Sequence, residues 1–211
     1  MDNAVDITAS IIQAALLVVL VIWAARHIRD SWLFTIIFSA FGCYLLGMVF
    51  WVLHYFVMGD WPRGFSASDV SFLGYFCFLI AAAVGLLGQL GESARAQLKR
   101  QRILALIGPL TVVLFHSAYL LLAGGLVNNL LYCLIMAVLA YYNLLGLLAA
   151  KKGLGGSWRR YYRVMLVLMG LELLMFLVSS FGWDVLYYVF CTLEATAWFF
   201  IIPAAEKGMT S

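Results

Sequence analysis

Seven long apolar runs, divided by short polar connections, set the limits on what this chain can fold into. They are Ile7–Ala25, Trp32–Met58, Ser71–Leu90, Ile103–Ala123, Val127–Ala150, Tyr161–Phe181 and Val185–Ala205. A helix crosses the hydrocarbon of a bilayer with about 20 apolar residues. Buried strands are shorter, and strands of a membrane barrel alternate apolar with polar residues, which these runs do not. The pattern predicts an all-α, polytopic membrane protein with seven transmembrane helices. With about 20 residues per span and short loops, the 211 residues are used up, so 1–211 reads as a single transmembrane domain.

Composition excludes the alternatives. The chain is 65% hydrophobic and 11% charged, where soluble domains have about 45–50% and about 25%. So few charges cannot coat a water-soluble globule. A cytosolic enzyme, a secreted disulfide scaffold and a disordered tail are all ruled out. Cys43, Cys77, Cys133 and Cys191 each sit inside an apolar run with no second cysteine nearby, so they read as small buried hydrophobes. The start, Met1 to Asp6, is acidic and lacks the basic region of a signal peptide, so the first run is expected to be retained as a helix.

The connections carry the orientation. Arg26 and Arg29 follow the first run; Arg95, Lys99, Arg100 and Arg102 the third; Lys151, Lys152, Arg159, Arg160 and Arg163 the fifth; Lys207 the seventh. The alternate connections hold Arg63 alone, so twelve of the 13 Lys and Arg fall on one side. Asp2, Asp6, Asp60, Asp69 and Asp184 fall on the other. The positive-inside rule then places the N-terminus outside and the C-terminus in the cytoplasm. The basic loops suit anionic headgroups, and docking of a cytoplasmic partner is the alternative use. Nothing in their spacing suggests nucleic acid.

Small-residue stripes at four-residue spacing predict close helix contacts: Ser39, Cys43 and Gly47; Ala81 and Gly85; Thr192 and Thr196. Gly85, Gly88 and Gly91 read the same way, since no strand precedes them. Gly91 to Gln101 is expected to prolong the third helix, and Ser66, Ser68 or Asp69 to cap its start.

Ionisable groups at membrane depth are costly and by default mark function. Glu172 lies eleven residues into the sixth run and Glu194 nine into the seventh, so both fall near the midplane. Consecutive antiparallel helices are neighbours, which lets both carboxyls face one interior and titrate as a coupled pair. Three uses stand open: a proton or cation site in a transporter, the polar anchor of a bound ligand, or a hydrogen-bonded lock within the bundle. His116 and His54 lie on different helices, where they read as hydrogen-bonded interior or interfacial groups; haem ligation by the pair has no spacing motif behind it. Tyr119 beside His116, Tyr142 and Asn143 in the fifth run, and Trp198 one turn from Glu194 complete a candidate lining. A mostly apolar cavity with a few fixed polar points is the usual small-molecule site. No nucleophile–base motif and no metal-ligand spacing is present, so neither a cofactor nor a metal is expected.

The stretches MVFWVLHYF (Met48 to Phe56), Gly-Asp-Trp-Pro (Gly59 to Pro62) and SASDVSFLGY (Ser66 to Tyr75) together resemble a family: the multi-span sensory modules fused to bacterial diguanylate cyclases and histidine kinases. The run Ala137–Leu148, with Tyr141, Tyr142 and Asn143, is similar to that family's tyrosine-rich fifth span. There the family tends to have proline and aspartate after the tyrosine, where this chain has Tyr142 and Asn143. The family continues into a cytoplasmic signalling domain, whereas six residues follow Ala205 here. The resemblance implies a sensor half in a bacterial inner membrane, detached from its output domain and working through a partner protein. The eight-span lysoplasmalogenase-like family fits less well, since Gly42-Cys43 lacks its carboxylate and one span is missing. The expected function is a receptor-like module that binds a small apolar or amphipathic ligand in the bundle. A small proton- or cation-coupled transporter using Glu172 and Glu194, or an intramembrane lipid-modifying enzyme, are the alternatives.

Overall fold

The structure, a computed structural model, describes residues 3–62, 64–122 and 126–210. Asp2, Arg63 and Ala123, which the sequence reading used, lie outside them. Among the described residues there are helices and no strands: α1 (Asn3–Arg26), α2 (Trp32–Met58), α3 (Ala67–Gly88), α4 (Glu92–Ala96), α5 (Lys99–Ala105), α6 (Ile107–Leu122), α7 (Leu126–Lys151), α8 (Arg159–Ser180), α9 (Asp184–Trp198) and α10 (Ile201–Thr210). They make seven segments long and apolar enough to cross a membrane, the fourth from α5 and α6 and the seventh from α9 and α10.

The two divided segments break for the same reason. Proline has no N–H to donate and its ring crowds the carbonyl four residues back. Pro109 follows the turn at Leu106, and Pro203 follows the turn at Phe199 and Phe200. The amides of Leu106, Phe199 and Phe200 turn to carbonyls three residues back, at 3.1, 3.2 and 3.0 Å. The chain tightens there instead of continuing as one α-helix.

α3 stops at Gly88 rather than running on to Gln101. The Arg95 guanidinium donates to the Gly88 carbonyl, and residues 92–96 form the separate α4. At the start of α3, Ser66 is the N-cap, and its N–H donates to the Asp69 carboxyl at 2.8 Å. α2 ends on Gly59 at φ 75°, a backbone turn that glycine makes without strain.

The helices close into a ring. α1 packs on α2, α2 on α3, α3 on α7, α7 on α8, α8 on α9, and α9 returns to α1, with α6 seated against α7 and α8. Several contacts are rings laid on glycines. A Cβ on Gly146 would run into the Tyr162 ring, one on Gly47 into Phe72, and one on Gly85 into Trp32. The Cys43–Gly47 stripe therefore works as expected, against Phe72 and Gly74. Ala81, Thr192 and Thr196 face outward instead, and the two threonine hydroxyls donate to their own helix at 2.8 Å. Nothing lies within 4 Å of where a side chain on Gly91 would start, so that glycine makes no helix contact.

Polarity is inverted relative to a soluble protein. Leu46, Leu53, Leu110, Leu114 and Leu134 are all more than half exposed, while Ser68, Asn129, Asn143, Glu172 and Glu194 are buried. One end of the ring gathers the basic connections, with His27 3.5 Å from Glu206. The other carries Asp60, Asp69 and Asp184.

Candidate functional site

Glu172 on α8 and Glu194 on α9 are 9% and 2% exposed. The sequence placed them at one depth on successive helices, and the α8–α9 packing brings them together. Oε2 of each is buried without a hydrogen-bond partner. The ion pairs among the described residues are those of His27, with Asp30 and Glu206, so neither glutamate is in one.

Both glutamates line a cavity of about 490 Å³ in the acidic half of the bundle. Ser10 and Gln13 of α1, Tyr44 and Trp51 of α2, and Asp69 and Phe72 of α3 form one side. His116 and Tyr119 of α6, Tyr132 of α7, Phe176 of α8 and Tyr187 of α9 form the other. All seven segments contribute wall, and the volume lies in the usual range of about 300–1,000 Å³ for small-molecule pockets. A second lobe of about 310 Å³ shares Ser10, Gln13, Trp51, Tyr187 and Cys191, and reaches Asp6 and Trp61.

The aromatic wall is packed ring on ring. Phe176 stands 5.6 Å from His116, 5.8 Å from Tyr119 and 5.7 Å from Tyr132, centroid to centroid. Tyr44 meets Phe72 at 5.0 Å. His116 is fixed by Asn129: its Nδ1–H donates to the Asn129 Oδ1 at 2.5 Å, and Asn129 Nδ2 donates to the His116 carbonyl at 3.0 Å. This leaves His116 Nε2 buried and unpartnered. The Tyr132 hydroxyl donates to Asp69 at 3.3 Å, tying α7 to the cap of α3. Asp6 accepts from the Tyr188 hydroxyl, tying α1 to α9.

Of the residues singled out in the sequence, Glu172, Glu194, His116 and Tyr119 meet at this cavity. Trp198 sits beyond it, fully buried with its ring 5.1 Å from Tyr44, close to Glu194 but completing no hydrogen bond. The other three are placed elsewhere. The Nδ1–H of His54 donates to the Asp60 carbonyl, 3.1 Å away, beside Phe50. It therefore does not converge with His116. Tyr142 packs against Tyr141 at 5.3 Å, and Asn143 turns its Nδ2 to its own helix at the Leu139 carbonyl, 2.9 Å. Sequence reasoning missed Ser10, Gln13, Asp69 and Asn129. The first two had a signal: Asp6, Ser10 and Gln13 recur at helical spacing on one face of an otherwise apolar run.

Comparison with protein-family models, curated proteins and solved structures finds no match to this chain.

Proposed function

We propose that the protein is a multi-pass membrane receptor-like module, basic end in the cytoplasm, that binds a small amphipathic ligand in the 490 Å³ cavity and signals through a partner. The observation that carries this reading is the cavity wall itself. All seven segments contribute to it, and an occupant with different affinity for two arrangements of the ring would shift their balance. The basic connections, positive-inside, offer the cytoplasmic face on which a partner would read that shift.

Native mass spectrometry of the protein from nanodiscs tests the reading. A retained non-lipid small molecule is expected. Ser179→Trp, which fills the cavity from an exposed position in the wall, should abolish retention and leave the melting temperature within a few degrees. Bare protein carrying only exchangeable lipid in both forms would sink it.

A cation- or proton-coupled transporter is the second reading, favoured by two buried carboxyls on one cavity, Glu172 and Glu194. It requires proton- or sodium-coupled flux in proteoliposomes that Glu172→Gln or Glu194→Gln abolishes while the fold survives. A receptor module shows no such flux.

A further inference from the structure

Two buried carboxyls that line one cavity and stand outside any ion pair cannot both be charged with nothing beside them. They hold a proton or a cation. A proton would neutralise a carboxyl but would supply neither orphan Oε2 with a partner. Those orphan atoms belong to side chains more than nine-tenths buried that line the cavity. What satisfies them is a donor carried by the occupant.

The rest of the wall narrows the donor. Asp69 and Asp184 add two more carboxyls, and among the described residues no lysine or arginine lines the cavity. Around them stand the faces and edges of Tyr44, Phe72, Tyr132, Phe176 and Tyr187, the surroundings in which a cation is attracted to aromatic rings. Among the described residues, no third His, Cys, Asp or Glu joins the pair in a metal-holding group. The space far exceeds what a bare metal ion fills.

Resting on the reading of the cavity as a ligand site, we propose that its ligand is an organic ammonium. Its N–H donors sit on Glu172 and Glu194, and its apolar or aromatic body lies along Tyr132, Phe176 and Phe72. The unpartnered Nε2 of His116 gives a second polar point across the wall, suited to a donor at the far end of such a molecule.

Isothermal calorimetry of the nanodisc-embedded protein at pH 7 tests this with two probes of nearly equal size. Phenethylammonium carries the charge and 2-phenylethanol does not. Phenethylammonium is expected to bind about ten- to hundredfold more tightly, the range of one or two charge-assisted hydrogen bonds. Glu172→Gln and Glu194→Gln should each erase most of that preference, and Ser179→Trp should block both probes. The wild-type comparison needs no variant to fold.

If the two probes bind equally, and Ser179→Trp blocks both, the ammonium is overturned while the cavity as a ligand site stands. If Ser179→Trp blocks neither, or neither binds, both fall. Stabilisation by sodium chloride that Glu194→Gln removes and phenethylammonium does not compete with would assign the pair to an inorganic cation and overturn the organic class.

Discussion

The exchange between His116 and Asn129 shows how much one polar contact decides inside an apolar bundle. Two hydrogen bonds, at 2.5 and 3.0 Å, bind α6 to α7 and orient the imidazole toward the cavity. Leaving a buried polar group without its partner costs about 1–3 kcal/mol. Asn129→Leu should therefore lower stability by about that amount, read by reversible unfolding in mixed micelles, with a larger loss than Asn143→Leu. Asn143 bonds only within its own helix. The sequence made His116 conspicuous, as a lone imidazole in an apolar run, but not its partner. An asparagine near the start of a run reads as an interfacial residue, and only the close α6–α7 hairpin shows that it faces inward. His54 is the reverse case. It reads as a member of an interfacial aromatic belt, and the partner it has there comes from the loop that follows α2, which folds back and offers it the Asp60 carbonyl.

At the level of the helix, existence and span were legible because hydropathy over about 20 residues is a strong signal. Breaks and faces were not. Pro109 and Pro203 were visible, but whether a proline kinks, ends or is absorbed by a helix depends on what the freed carbonyls find. Here the chain ahead of each proline tightens into turns closed three residues back. Pro203→Ala restores an amide at 203, and the segment Asp184–Thr210 is expected to gain a continuous ladder, seen as slower hydrogen exchange around Phe199 to Ile202. The small-residue stripes were half legible for a related reason. Spacing locates a groove on a helix but not the helix that fills it. At Gly146 the filler is Tyr162. Gly146→Ala should cost about 1–3 kcal/mol through overpacking. In a double-mutant cycle with Tyr162→Leu, most of that cost should vanish. A cost that persists in the double variant would place the strain elsewhere.

Across the whole molecule, charge asymmetry and the seven-segment count were readable from end to end, whereas the cavity was not. Its wall draws residues from segments far apart in the chain, and apolar periodicity says nothing about which faces of seven helices meet. The glutamates were found because carboxyls are rare at such depth; Ser10 and Gln13 were passed over because weaker polar groups occur there more freely. The proposed orientation predicts that a reporter active only in the cytoplasm works when fused after Thr210, and that a cysteine replacing Asp60 reacts with a membrane-impermeant maleimide added outside. The opposite pattern would reverse the orientation.

The ring is closed by its two ends. Asp6 accepts from Tyr188, 182 positions away, and Trp23 packs against Phe199 at 6.5 Å. Closing so long a loop is the entropically dearest contact in the assembly, and chain order makes it the last available during synthesis. Until then the cavity has no wall on that side. The cavity is thus a product of the seventh segment's arrival: a nascent chain can hold six finished segments and still possess no closed chamber.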